Sequence, residues 1–236
     1  MAIFSISDLH LSFNNPEKSM NKFGWNNHED IIKESWIKNV TDNDLVLLPG
    51  DLSWALKLSD ADKDLSFIGN LPGKKVLLKG NHDYWWASLK KINHYFREKN
   101  FDIELIQYNA MVFEDYIISG VRGWEFNDNL DDDAQKKYNK ELVRFDLCVL
   151  SIRKLLNEYK NIKKVVFMMH YPPFTAEFPS TPFLDRIIEQ KDIIDFVVFG
   201  HLHKIKNKKF YNKKIEGIEF KLISADIVNF NLVKII

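Results

Sequence analysis

The sequence predicts an α/β fold built on two sheets, one of them partly antiparallel. Three observations carry this. Five short apolar runs each end at once in a polar cluster. Helical spacings of apolar residues lie between several of these runs. A different stretch, Ile103 to Val121, holds short, closely spaced apolar segments of hairpin type.

The first run, Ile3 to Ile6, leads into Asp8-Leu9-His10. Ile32, Trp36, Ile37 and Val40 then recur at helical steps. The run Leu45 to Leu48 leads into Pro49-Gly50-Asp51, and Val76 to Leu78 leads into Gly80-Asn81-His82-Asp83. Leu89, Ile92 and Phe96 mark a further helix. Short unbroken apolar runs suit strands buried on both faces. Alternation with helices implies parallel strands joined by right-handed crossovers. Ile103–Gln107, Ala110–Phe113 and Tyr116–Ser119 read as antiparallel hairpins. Gly217–Ser224 and Val228–Ile235 look similar and complete a second sheet.

Between these segments, Ala134, Tyr138, Leu142, Phe145, Val149, Ile152, Leu156 and Tyr159 recur at steps of three and four. They predict a helix over Asp131 to Lys160, about 45 Å long. Asp131, Asp132 and Asp133 suit its N-terminus, where acidic groups meet the positive end of the dipole. The last two runs follow. Val165 to Met169 leads into His170-Tyr171-Pro172-Pro173, and Phe196 to Phe199 leads into Gly200-His201-Leu202-His203.

Bulk properties exclude several classes. At 236 residues the chain suits one large domain or two small ones. Net charge is zero, so no general field draws in long nucleic acid or an anionic membrane. Cys148 is the only cysteine, which rules out an intrachain disulfide and a thiolate metal cage. The N-terminal residues lack the basic and apolar regions of a signal peptide. No run approaches the roughly 20 apolar residues of a bilayer span. A cytoplasmic protein is expected.

Ligands of parallel sheets bind beyond the carboxyl ends of the strands, where all five polar clusters fall. The clusters gather Asp8, Asp51, Asn81, His10, His82, His170, His201 and His203, including five of the seven histidines. Nitrogen and oxygen donors without sulfur suit Mn, Fe, Zn, Co or Ni. Asp8 and His10 alternate across one residue, as do His201 and His203. In extended chain such pairs point the same way. The candidates outnumber the ligands of one ion, and two ions sharing a carboxylate would use them economically. Such paired ions clamp a phosphoryl group for in-line displacement.

Asp8-x-His10, Gly50-Asp51, Gly80-Asn81-His82-Asp83, His170 and Gly200-His201-x-His203 resemble the calcineurin-like metallophosphoesterases in order and spacing. The motifs span most of the chain, and the sequence is most similar to an uncharacterised bacterial phosphohydrolase branch. The resemblance implies one domain over residues 1–236. Its expected architecture is a four-layer αββα sandwich, with two mixed sheets flanked by helices and a metal site at the strand C-terminal ends. It implies that Asp8, His10, Asp51 and His203 bind one divalent ion. Asp51, Asn81, His170 and His201 would bind the other, with Asp51 bridging. His82 would stabilise and protonate the leaving group, and a metal-bridging hydroxide would be the nucleophile. The second Asp and the Arg of the protein Ser/Thr phosphatase branch are replaced by Trp54 and Ala55, which turns the expectation away from phosphoproteins. A small nucleotide-like phosphomonoester or phosphodiester is favoured. The alternative is a non-catalytic scaffold of the same fold that acts through protein partners.

Around this set, Arg122, Tyr84 and Trp54 are candidate substrate contacts, while Trp85 and Trp86 are read with the core. Phe23 and Trp25 are expected to contribute to a lid. His28 and His94 are not expected to bind metal. Phe174 to Pro182 is expected to shape a substrate pocket.

Overall fold

The computed structural model describes all 236 residues, Met1–Ile236. The chain divides into two compact units, Met1–Leu105 with Ile223–Ile236, and Ile106–Leu222.

The first unit carries β1 (Ile3–Ser5), α1 (His28–Asn39), β2 (Leu45–Leu48), α2 (Asp62–Gly69), β3 (Lys74–Leu78), α3 (Leu89–Glu98) and β4 (Ile103–Ile106). With β11 (Val233–Lys234) its sheet has the order β11-β1-β2-β3-β4. β1, β2 and β3 run parallel, and β11 lies antiparallel to β1. The first two strands are buried throughout, as unbroken apolar runs require. Ile32 and Trp36 of α1, Leu65 and Ile68 of α2, and Ile92 and Phe96 of α3 join one apolar core with Phe4, Val46, Leu48 and Leu77. A buried lysine closes α2. The Lys75 ammonium donates to the carbonyl oxygens of Gly69, at 3.2 Å, and Leu71. Helix-terminal carbonyls lack an intrahelical donor, and this cation supplies one.

The second unit carries β5 (Ala110–Phe113), β6 (Tyr116–Val121), α4 (Asp132–Glu158), β7 (Lys164–Met169), α5 (Pro182–Ile188), β8 (Phe196–Phe199), β9 (Lys213–Ile215) and β10 (Ile218–Leu222). Its sheet order is β5-β6-β7-β8-β10-β9. β6, β7, β8 and β10 are parallel, and β5 and β9 are antiparallel edge strands. The Asp131 carboxylate caps α4 by accepting from the Ala134 amide at 2.8 Å. The helix is 27 residues, about 40 Å, and packs on β5 and β6.

Both sheets are mixed and have flanking helices, so the expected α/β class holds. Three details differ from the sequence reading. The five motif-bearing strands are split between the sheets, β1, β2 and β3 in one and β7 and β8 in the other. Only Val233–Lys234 of the expected Val228–Ile235 strand pairs, because Ala225 to Asn231 closes turns such as Phe230 N–H to Ala225 O at 2.7 Å. The buried stripe of α4 runs through Tyr138, Glu141, Phe145, Cys148 and Ile152. Glu141 takes a core position because it has donors there. It accepts from the Gly123 amide at 3.2 Å and pairs with Arg144. No helix is long and apolar enough to cross a membrane.

Candidate metal centre

In the first unit, the loops after β1 and β2 run side by side, joined by backbone hydrogen bonds. Asp8 N–H meets Gly50 O at 2.9 Å, His10 N–H meets Asp51 O at 3.0 Å, and Leu11 N–H meets Leu52 O at 2.9 Å. Asp8, His10 and Asp51 are all buried. The Ser7 hydroxyl donates to Asp8 Oδ2, and the His82 amide donates to Asp51 Oδ1 at 2.7 Å. His10 Nε2 lies 3.9 Å from Asp51 Oδ2.

Backbone conformation sets these side chains. Asp8, His10, Asp51 and His201 all have positive φ, between 46° and 70°. The left-handed region costs a non-glycine residue about 1–3 kcal/mol, so four candidate ligands sit in conformations that local preference opposes. The extended-chain reasoning for Asp8 and His10 therefore does not hold. Their left-handed turns, not strand alternation, aim them.

Asp83 holds this arrangement from beneath and is fully buried. Its Oδ2 accepts from the amides of Asp51 and Gly80, each at 2.8 Å. Its Oδ1 accepts from Leu52 N–H at 2.9 Å, Ser53 N–H at 3.3 Å and the Trp85 indole at 2.9 Å. Burial pushes this carboxyl above its ordinary range, against the pull of those five donors. A second buried carboxylate, Asp64, accepts from the Ser53 hydroxyl and from Phe13 N–H at 2.8 Å, and burial raises it too. His28 is buried, with Nε2 3.0 Å from Leu9 O and Nδ1 3.2 Å from Trp25 O. It braces the carbonyl between Asp8 and His10. His94 is exposed on α3 beside Glu98.

The Trp54 ring stacks on His10, with centroids 4.7 Å apart and planes at 19°. Its centroid is 4.5 Å from that of His82, and its buried indole N–H has no hydrogen-bond partner. Tyr84 is exposed and meets His82 edge-on at 6.2 Å. Trp85 is core, as read, and Trp86 packs against it. Trp25 is also core, against Phe230 and His28, which removes it from the expected lid; Phe23 is exposed.

In the second unit, His170 and Tyr171 follow β7, and both their amides donate to Arg122 O, at 3.2 and 2.9 Å. The Gly200 amide donates to His170 O at 3.2 Å, tying the loop after β8 to that after β7. His170 and His201 rings meet edge-on at 5.2 Å, and Tyr171 covers His201 at 4.3 Å. Arg122 lies over the Trp124 ring at 4.8 Å, and its Nη2 is 3.9 Å from Glu141 Oε1. Its buried Nε has no hydrogen-bond partner.

Two groups of side chains have the make-up of metal sites: Asp8, His10 and His203, and Asp51, His170 and His201. Within each group the ligand atoms lie within 4.8 Å of one another. His201 and His203 thus fall into different groups. The donor set fits divalent ions, with carboxylate oxygen and imidazole nitrogen and no sulfur. Gly80 fits it as well, because a Cβ there would occupy the space of the Asp51 carboxylate and amide.

These groups, in a chain matched by a phosphoesterase family, support a metal-dependent phosphoesterase. The sequence profile of the calcineurin-like phosphoesterase family matches residues 1–205, and the chain belongs to that family. Two mixed sheets with flanking helices are consistent with the family's sandwich. Among solved structures, the chain resembles a protein of unknown function, AQ665, from Aquifex aeolicus. Identity is 17%, with 99% of this chain and 95% of that one covered and a TM-score of 0.50. It also resembles the protein TT1561 of Thermus thermophilus, at 13% identity, 98% and 96% coverage and a TM-score of 0.55. These likenesses concern the fold. No curated protein matches the chain.

Proposed function

We propose that residues 1–236 act as one cytoplasmic, dinuclear metallophosphoesterase domain that hydrolyses a small nucleotide-like phosphomonoester or phosphodiester. Asp8, His10, Asp51 and His203 hold one ion, and Asp51, Asn81, His170 and His201 hold the other. Manganese, iron and zinc are the favoured ions among those the donors suit. The observation that carries the reading is the grouping of Asp8, His10 and His203, and of Asp51, His170 and His201, in a chain of this family.

Divalent ions at such a site acidify water and neutralise phosphoryl charge. The chain's own residues do the rest. Asp83 fixes the loop at Asp51 by accepting from the Asp51, Leu52 and Ser53 amides. Ser7 orients Asp8. His82 stabilises the leaving oxygen and gives it a proton, and the Trp54 ring keeps both His82 and His10 in place. Trp54, Tyr84 and Arg122 contact the substrate. Zero net charge supports a small substrate over a long polynucleotide.

The test is hydrolysis of p-nitrophenyl phosphate and bis(p-nitrophenyl) phosphate by purified protein, with Mn²⁺ and with chelator. Metal-dependent turnover of either is the expected result. No turnover of these or of a broad phosphoester panel would favour the scaffold reading.

A further inference from the structure

The second unit contains a cavity of about 410 Å³ beside the candidate ligand His201, within the size range of small-molecule sites. Five aromatic rings, Phe126, Tyr171, Phe174, Phe178 and Tyr211, stand among its lining residues. Tyr171 is shared with the metal centre, since its ring covers His201 at 4.3 Å.

The wall is already formed. Phe126 and Phe178 pack edge-to-face, with centroids 5.4 Å apart at 89°. The loop bearing Phe178 is closed on itself by Thr175 N–H to Phe178 O at 2.9 Å and Phe178 N–H to Thr175 Oγ1 at 3.0 Å. The Tyr211 hydroxyl accepts from Ala176 N–H at 3.3 Å, and the Thr181 hydroxyl donates to Pro173 O. Little ordering is left for a ligand to cause, which favours binding of a rigid planar group.

The carboxylates of the lining meet no fixed positive charge in it. Two exposed carboxylates, Glu125 and Glu177, stand among the lining residues, and no Lys or Arg does. Aromatic faces attract a planar ring or a cation. Carboxylates accept from N–H groups and repel a second phosphate. A polyphosphate or a continuing nucleic-acid strand does not match this lining.

We propose that this cavity binds the planar, amino-bearing ring of the substrate, of the chemical class of an adenine-type nucleobase, next to the metal centre that takes its phosphoryl group. The assignment rests on the phosphoesterase reading, and it names the organic part of the substrate. Phe178 supplies the stacking face and Glu177 accepts from the ring's amino group.

A probe without phosphate separates the two ideas, because it needs no metal. Adenosine and uridine are titrated into the full-length protein in chelator, and binding is followed by ligand-observed NMR. Saturable adenosine binding, tighter than uridine, is expected. Phe178→Ala should weaken it about tenfold, as loss of one base–aromatic stack does, and Glu177→Gln about fivefold, with circular dichroism unchanged. Metal-dependent turnover of p-nitrophenyl phosphate without adenosine binding would overturn the cavity assignment and leave the enzyme reading intact. So would adenosine binding that neither variant weakens. Binding that both variants weaken, in a protein that turns over no phosphoester, would overturn the enzyme reading and the cavity's role as a substrate site.

Discussion

Asp83→Asn removes one oxygen and changes little else in shape. The wild-type carboxylate accepts five hydrogen bonds and donates none. An amide must place its NH₂ toward one set of these donors. Turned toward Asp51 and Gly80 it strands two N–H groups; turned the other way it strands three. A buried donor left without an acceptor costs about 1–3 kcal/mol, so the cheaper orientation costs about 2–6 kcal/mol. Relief of the burial penalty on the charged group offsets part of this. The remainder is a large fraction of the roughly 5–15 kcal/mol that stabilises a domain. Urea unfolding in chelator, followed by tryptophan fluorescence, measures it, since five of the six tryptophans lie in the first unit. A midpoint shift worth more than about 1 kcal/mol is expected. A variant within about 0.5 kcal/mol of wild type would refute the view that Asp83 holds the Asp51 turn together.

Three further outcomes follow from the same geometry. Burial pushes the Lys75 ammonium down to about 8 from 10.5. Between those values the unfolded chain binds the proton and the folded chain does not, so stability should rise with pH from about 8 toward 10.5. Wild-type minus Lys75→Met urea midpoints between pH 7 and 10 check this, and a flat difference would contradict it. Gly80→Ala puts a methyl group where the Asp51 carboxylate and amide lie. Overpacking of this kind costs about 1–3 kcal/mol, and manganese titration should show weakened binding in this variant. His82→Ala should retain metal while kcat falls by about 10²–10⁴, most for poor leaving groups. Equal slowing across a leaving-group series would count against proton donation by His82.

The strands bearing the motifs were legible because residues buried on both faces leave unbroken apolar runs, such as Leu45–Leu48 and Phe196–Phe199. Their division between two sheets was not, since pairing partners leave no mark on a run of four residues. The grouping of Asp8 with His10 was legible from spacing, but its cause was not. Left-handed φ at Asp8, His10, Asp51 and His201 is a property of loops held by neighbouring backbone. Asp83 stood in plain view beside His82, yet its role depends on five donors, three of them about 30 residues away in sequence. Glu141 and Cys148 broke the apolar pattern of α4. Each is buried because a partner waits there, the Gly123 amide for Glu141 and the Gly120 carbonyl, 3.3 Å away, for Cys148. Burial pushes that thiol up to about 12, which keeps it unreactive.

Metal stoichiometry tests the centre most directly. Apo protein loaded with Mn²⁺, freed of excess and analysed for metal should carry two ions per chain, and Asp51→Asn, which alters the ligand proposed to be shared, should lose both. One ion or none in the wild-type chain, or two retained by Asp51→Asn, would contradict a dinuclear centre bridged by Asp51.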